Sequence, residues 1–236
     1  MPDFSLILPT RERPALVRRT LDSLCATATR PEQVEVVLYA DDDDLVSQAI
    51  EYPALKLKKL VGPRQRMGQI TRACYRACTG RIIMLANDDI IFRTPGWDRQ
   101  VLAAFDVHPD GLALVWGNDL HSGAPAHPFL SRATCEMLEE VCPAEYDREF
   151  IDTHIYDIFR TLRELGHNRM RYLPEVVVEH CHVYAGKMVA DATFVKKHYA
   201  HDERVYMAWT DERSIIARDM ARCIETSARG FANRAA

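Results

Sequence analysis

The stretch Arg81-Ile-Ile-Met-Leu-Ala-Asn-Asp-Asp-Ile-Ile-Phe92 decides how the chain is read. Five apolar residues lead into Asn87-Asp88-Asp89, and three more follow. An uninterrupted apolar run of this kind is the pattern of a strand buried on both faces, as in a parallel sheet. Two adjacent carboxylates at the end of such a strand are costly to bury unless a cation offsets them. A divalent metal is the natural candidate.

The preceding segments extend the same grammar. Phe4-Ser-Leu-Ile-Leu8 reads as a first strand closed by Pro9-Thr10, with Pro14 placed to open a helix. Val17, Leu21, Leu24, Cys25 and Ala28 follow at helical spacing. Val34 to Tyr39 reads as a second strand running into Asp41-Asp42-Asp43-Asp44, and Leu55 to Val61 as a third, ended by Gly62-Pro63. Met67 to Cys78 reads as a helix stopped by Gly80. Strands alternating with helices predict an α/β fold, a single domain over residues 1–236 with a mixed, mainly parallel sheet flanked by helices. Ligands of such sheets collect beyond the carboxyl ends of the strands. Three ionic clusters fall there: Pro9 to Arg13, Asp41 to Asp44, and Asn87 to Asp89.

Downstream, Pro95 to Phe105 predicts a helix and Leu112 to Gly117 a strand. Residues 118–128 carry Gly, Pro, His and Asp, as a loop does. Ile151, Ile155, Ile158, Leu162 and Leu165 form a helical stripe ended by Gly166, and Arg171 to Glu179 predicts a strand leading into His180-Cys-His182. Beyond Gly186 the chain reads as polar helix, fraying from Gly230.

Composition sets limits. A hydrophobic fraction of 47% over 236 residues supports an ordinary core, and a net charge of −4 supplies no broad basic field for nucleic acid. No apolar run is long enough to span a membrane, and the N-terminus lacks the basic region of a signal peptide. Seven cysteines without paired spacing read as reduced thiols, which predicts a cytoplasmic protein. Dinucleotide and P-loop glycine signatures are missing, so a nucleotide must be held by side chains and metal.

The ordered set of a strand ending in Pro-Thr-x-x-Arg, a second ending in Asp-Asp, Gly-x-x-x-Arg-x-Gly before a helix, and Asn-Asp-Asp resembles family 2 glycosyltransferases of the GT-A fold. The likeness covers residues 4–92 well and runs more loosely to about 187. It implies a nucleotide-binding half over 1–117, an acceptor and catalytic half over 118–190, and a helical extension over 191–236. It further implies that Pro9, Thr10, Arg11 and Arg13 line the nucleotide pocket and that Asp41, with Asp42 beside it, meets the base, usually uracil. Arg66 and Gly68 match the turn beside the ribose and diphosphate. Asn87-Asp88-Asp89 matches the family's Asp-x-Asp motif, with Asp89 the main metal ligand. Asn87 departs from the pattern because it brings no charge, a shortfall that Asp88 is placed to offset.

The family often adds a His ligand after a strand, a place filled by His180, with His182 as the alternative. The expected cofactor is Mn²⁺ or Mg²⁺, an imidazole ligand favouring Mn²⁺. Asp152, at the start of the later helix, matches the family's general base; His154, Asp147 and Glu149 compete with it, and a plain helix cap is the alternative role. A helix N-terminus is expected to lower its pKa. Lys187 and Asp191 are placed to close over a diphosphate, with a solvated helical surface the favoured alternative, and Trp97, Trp116 and Tyr156 to stack on sugar, with core packing favoured for Trp116. The activity implied is inverting transfer of a sugar from a nucleotide-diphosphate donor, usually UDP-linked, to an acceptor hydroxyl on a sugar, lipid-linked glycan, protein or modified DNA base. A metal-dependent phosphohydrolase, a nucleotidyltransferase and a non-catalytic nucleotide-sugar binder are the rival readings.

Overall fold

The computed structural model describes residues 1–191 and 199–235, with side chains described as far as residue 228. The first half contains β1 (Phe4–Thr10), α1 (Pro14–Thr27), β2 (Val34–Asp41), α2 (Leu45–Gln48), β3 (Lys56–Gly62), α3 (Met67–Ala77), β4 (Ile82–Leu85) and β5 (Ile90–Phe92). The second contains α4 (Trp97–Asp106), β6 (Leu114–Asn118), β7 (Phe129–Ser131), α5 (Arg132–Met137), α6 (Ile151–Glu164) and β8 (Met170–His180). Two further helices, α7 (Tyr199–Ala208) and α8 (Thr210–Ala235), complete it. The strands form one sheet in the order β3-β2-β1-β4-β7-β6-β8-β5.

The anticipated α/β architecture is present, and the sheet is mixed. β1, β2, β3 and β4 pair in parallel, as do β6 and β8, whereas β7 runs antiparallel to β4 and β6, and β5 antiparallel to β8. Alternation along the buried strands sorts the core into two layers. Phe4, Leu6 and Leu8 of β1 pack with Val17, Leu21 and Leu24 of α1 and Val101 of α4. Ile7 of β1 and Val37 of β2 join Ile70 of α3, Ile155 of α6 and Ile216 of α8 on the other face. β3 closes one edge; it alternates in exposure and carries Lys56, Lys58 and Lys59, which discourage edge pairing.

Local chemistry explains most boundaries. Pro14 opens α1 at its first turn, and the Gln69 side chain accepts from the Arg66 amide at the start of α3. Gly68 packs flat on the chain entering α6: a Cβ there would meet the Pro143 carbonyl oxygen at 2.3 Å. β7 escapes sequence reading because three residues carry no measurable periodicity. The C-terminal helix continues through Gly230 to Ala235, where fraying was the expectation.

The sugar-stacking expectation for Trp97 and Tyr156 needs correction, whereas Trp116 takes the packing role favoured for it. Trp97 is fully buried and packs against Phe4, Phe92 and Phe129 at ring-centroid distances of 5.0, 4.8 and 5.8 Å. Trp116 packs on Tyr156 and Tyr172 and donates its indole N–H to the Gly123 carbonyl. All three of Trp97, Trp116 and Tyr156 are occupied in packing and stand outside the main cleft.

Candidate active site

The register of the parallel strands puts the three ionic clusters on one rim. Thr10 pairs with Ala40, Asp41 with Gly62, and Ile7 with Leu85, so the chain leaves β1, β2 and β4 at the same end of the sheet. A cleft of about 1170 Å³ opens there. Its wall includes Pro9, Thr10, Arg11, Arg13, Asp41, Arg66 and Asn87-Asp88-Asp89, with His180 and His182 on the Asp89 side, and Asp152 from a separate segment of the chain.

Arg11 and Arg13 divide the acidic residues between them. The Arg11 guanidinium donates to Asp41 at 2.7 Å and also pairs with exposed Asp43. Asp44 is buried; it accepts from the Glu12 and Ser47 amides and so caps α2. Asp42 is exposed and outside the cleft wall, and Gly68 is likewise absent from the wall, serving helix packing instead.

Asp88 and Asp89 have different roles. One Asp88 oxygen accepts from the Thr10 hydroxyl at 2.8 Å and the other from Arg13 at 3.1 Å, so both are engaged by protein. Burial pushes the Asp88 carboxyl up, against the pull of Arg13 and Thr10, to about 6. The Asp89 carboxyl is also penalised by burial, but neighbouring His180, His127 and Arg13 outweigh this and lower it. The Thr20 hydroxyl donates to the Asp88 and Ile90 carbonyls and pins the turn between them.

β5 brings the two halves of the chain together. Ile90 lies opposite His180 in the antiparallel ladder, and the Cys181 amide donates to the Asp89 carbonyl at 2.8 Å. His180 Nε2 consequently stands 3.3 Å from Asp89 Oδ1. Neither atom reaches hydrogen-bond geometry: Asp89 Oδ1 and both nitrogens of His180 are buried without a hydrogen-bond partner. Orphaned buried groups cost about 1–3 kcal/mol each, so a cation bridging this pair removes a penalty. Adjacent ligand atoms of an octahedral Mg²⁺ or Mn²⁺ shell lie about 3 Å apart, which this separation fits. His182 is placed differently: its Nδ1 accepts from the Tyr184 amide at 3.3 Å, which leaves the proton of a neutral ring on Nε2.

Sequence reading passed over the loop between β6 and β7. The Asp119 carboxylate accepts from the amides of His121, Ser122 and Gly123 and the Ser122 hydroxyl, while its carbonyl accepts from the His180 amide. Burial would raise its pKa, but these hydrogen bonds hold it at about 2. The loop delivers His127 beside His180 with ring centroids 4.7 Å apart, and burial drives the His127 imidazolium down to about 3. The signal available in advance was a pair of His residues in a loop preceding an unrecognised strand.

In the segment that carries Asp152, Phe150 takes the left-handed conformation, φ 67°, and starts α6. Asp152 therefore sits inside the first turn and is not the cap. Burial raises its pKa, contrary to the lowering expected from the helix terminus, because desolvation exceeds the help from the Thr153 amide and hydroxyl. His154 is buried, bonded through Nδ1 to the Tyr146 hydroxyl, lowered by burial to about 3, and outside the cleft lining. Asp147 pairs with Arg66 at 3.0 Å, while Glu149 lines the cleft.

Asp191 reaches back over the rim to Arg13 through two hydrogen bonds of 2.7 Å, whereas Lys187 pairs with Glu179. Residues 192–198 of the C-terminal extension lie outside the described residues. A compact group of metal-capable side chains also occurs at Asp147, His201 and Asp202. There the Asp202 oxygens already accept from the amides of Asp147, Arg148 and Glu149 at 2.7, 2.9 and 2.7 Å, which accounts for its burial as a lock on that segment.

The family model for glycosyl transferase family 2 matches residues 5–125, about half of the chain. The chain belongs to glycosyl transferase family 2. No curated protein matches it significantly. Solved structures with the same fold include Staphylococcus aureus TarS, 16% identical with a TM-score of 0.55 over 75% of this chain and 36% of that one. A mannosyltransferase from Pyrobaculum calidifontis, solved with GDP-Man and Mn²⁺, is 15% identical with a TM-score of 0.54 over 98% and 80% of the two chains. Glucosyl-3-phosphoglycerate synthase from Mycobacterium tuberculosis, with Mn²⁺, UDP and phosphoglyceric acid, is 13% identical with a TM-score of 0.54 over 90% and 78%. This family 2 chain spans 36% and 59% of the two TarS chains it matches first. Among its described residues no helix is long and apolar enough to cross a membrane, and all seven cysteines are free.

Proposed function

We propose that the protein transfers a sugar from a nucleotide-diphosphate donor, UDP-linked in our reading, to an acceptor hydroxyl, with Mn²⁺ or Mg²⁺ as cofactor. The observation that carries this is the pairing of Asp89 Oδ1 with His180 Nε2 at 3.3 Å, both orphaned, in a cleft whose wall also includes Asp152. Asp89 and His180 would hold the ion, leaving its remaining positions to water and the donor's phosphates. Such an ion supplies Lewis-acid stabilisation of the charge that grows on the departing diphosphate.

The chain's own groups account for the rest. Arg11, fixed by Asp41, and Arg13, fixed by Asp88, bring cationic donors to the mouth of β1, where the nucleotide enters. Asp41 Oδ1, which Arg11 does not engage, is placed to accept from the base. Asn87, exposed on the wall, offers an uncharged acceptor to ribose. His182, with its proton on Nε2, serves as a hydrogen-bond donor in the cleft, and His180 as the ligand of the pair.

Asp152 takes the acceptor's hydroxyl proton as that oxygen attacks the anomeric carbon. Its raised pKa makes it a stronger base than an ordinary carboxylate. A carboxylate on the acceptor side supports direct displacement with inversion. Free thiols support a reducing compartment, and we place the protein in the cytoplasm on that ground.

A thermal-shift panel of UDP- and GDP-sugars with and without Mn²⁺ tests the reading. Stabilisation by a nucleotide sugar only when Mn²⁺ is present, lost in Asp89→Asn, is the expected result. Stabilisation by nucleoside triphosphates alone would overturn it.

A further inference from the structure

A metal-ligating imidazole is ordinarily oriented by a hydrogen bond from its second nitrogen to a carbonyl or carboxylate. His180 has no such partner: Nδ1 is buried and unbonded. Two imidazole rings flank it instead: His182, tilted at 4.8 Å and 53°, and buried His127, edge-on at 4.7 Å and 77°. Backbone pairing enforces this placement. The Leu85 amide donates to the Pro128 carbonyl, which brings residue 127 to the end of β4 just ahead of Asn87-Asp88-Asp89. The His180 amide in turn donates to the Asp119 carbonyl at the start of the same loop.

His127 is a poor choice for stability. Both of its nitrogens are buried without a well-formed hydrogen bond, the Leu85 backbone alone giving the ring weak support, and an apolar residue of similar size would remove that cost. A locally unfavourable residue at such a site points to function. We propose that His127 is a positioning residue: its ring edge fixes the plane of His180 so that Nε2 faces Asp89 for the divalent cation. The role rests on the metal reading above and deepens it. Among the described residues Asp89, His180 and His127 do not form a compact three-ligand group, which favours positioning over ligation for His127.

The test titrates Mn²⁺ by electron paramagnetic resonance of the free ion, with UDP present, on the whole chain and on Asp89→Asn, His127→Leu and His127→Phe. Thermal midpoints are recorded in parallel. His127→Leu is expected to weaken Mn²⁺ binding by about 10–100-fold while its thermal midpoint holds or rises. His127→Phe keeps an aromatic edge and is expected to recover most of the affinity. Wild-type affinity in His127→Leu overturns the positioning role, as does a His127→Phe variant no better than His127→Leu. Loss of the thermal transition in His127→Leu would assign His127 to the fold and also overturn it. Absence of Asp89-dependent Mn²⁺ binding in the unmodified protein is a different result, which removes the metal reading and this role with it.

Discussion

His180 Nε2 lies 3.3 Å from Asp89 Oδ1, a juxtaposition made by the antiparallel pairing of β5 with β8. The two residues come from opposite halves of the chain, and the site depends on their meeting. Between them they leave a buried oxygen and a buried nitrogen facing each other without a hydrogen bond.

Asp89→Asn keeps the shape of the side chain and removes its charge. Turnover of the nucleotide-sugar donor is expected to fall by about a thousandfold, with excess EDTA reproducing the loss in the unmodified protein. Donor turnover that survives both treatments would rule out metal assistance.

Asp152→Asn tests the base. The expected outcome is a fall in kcat of about 10²–10⁴-fold with little change in donor KM. Because burial raises the Asp152 pKa, the acid limb of the kcat profile in the unmodified protein should lie above the ordinary carboxylate range. A profile flat down to that range assigns the proton transfer elsewhere.

Arg13 and Asp88 form a buried pair with side-chain exposures of 9% and 6%. Arg13→Met strands the carboxylate and is expected to cost about 3 kcal/mol of stability near pH 8. With its pKa already raised to about 6, Asp88 takes up a proton in the folded state as pH falls, and loss of Arg13 raises that pKa further. The deficit should therefore shrink on moving to about pH 5.5, as denaturant unfolding at the two pH values will show.

Asp119→Ala removes the acceptor for three backbone amides and is expected to destabilise the protein by about 2 kcal/mol near neutrality. The Asp119 carboxyl is held at about 2, below its ordinary 3.8. A lowered folded pKa gives stability that is complete above the ordinary value and lost as pH falls toward 2. In acid titrations followed by circular dichroism, the gap between the two proteins should close across that interval.

The sequence by itself determined the parallel β1–β4 framework and its polar rim. Fully buried strands must be apolar throughout, and strand ends facing a ligand need not be, so Pro9 to Arg13, Asp41 to Asp44 and Asn87 to Asp89 are legible as a site. Its motif order also sufficed to reach the family. Tertiary structure decided what those residues do. Residue type could not show that Asp41 and Asp44 are buried while Asp42 and Asp43 are exposed, because that depends on where Arg11 and the amides of Glu12 and Ser47 turn inward. Nor could it show that Asp88 is fully engaged by Thr10 and Arg13 while Asp89 faces His180. Trp97 is equally ambiguous in sequence, since a sugar platform and a core ring have the same side chain. The Asp152 pKa moved opposite to expectation because desolvation, a property of the whole enclosing wall, exceeded the local effect of the helix terminus. His127 became visible only with β7, a strand too short to leave a pattern, whose register sets an imidazole beside the end of β4.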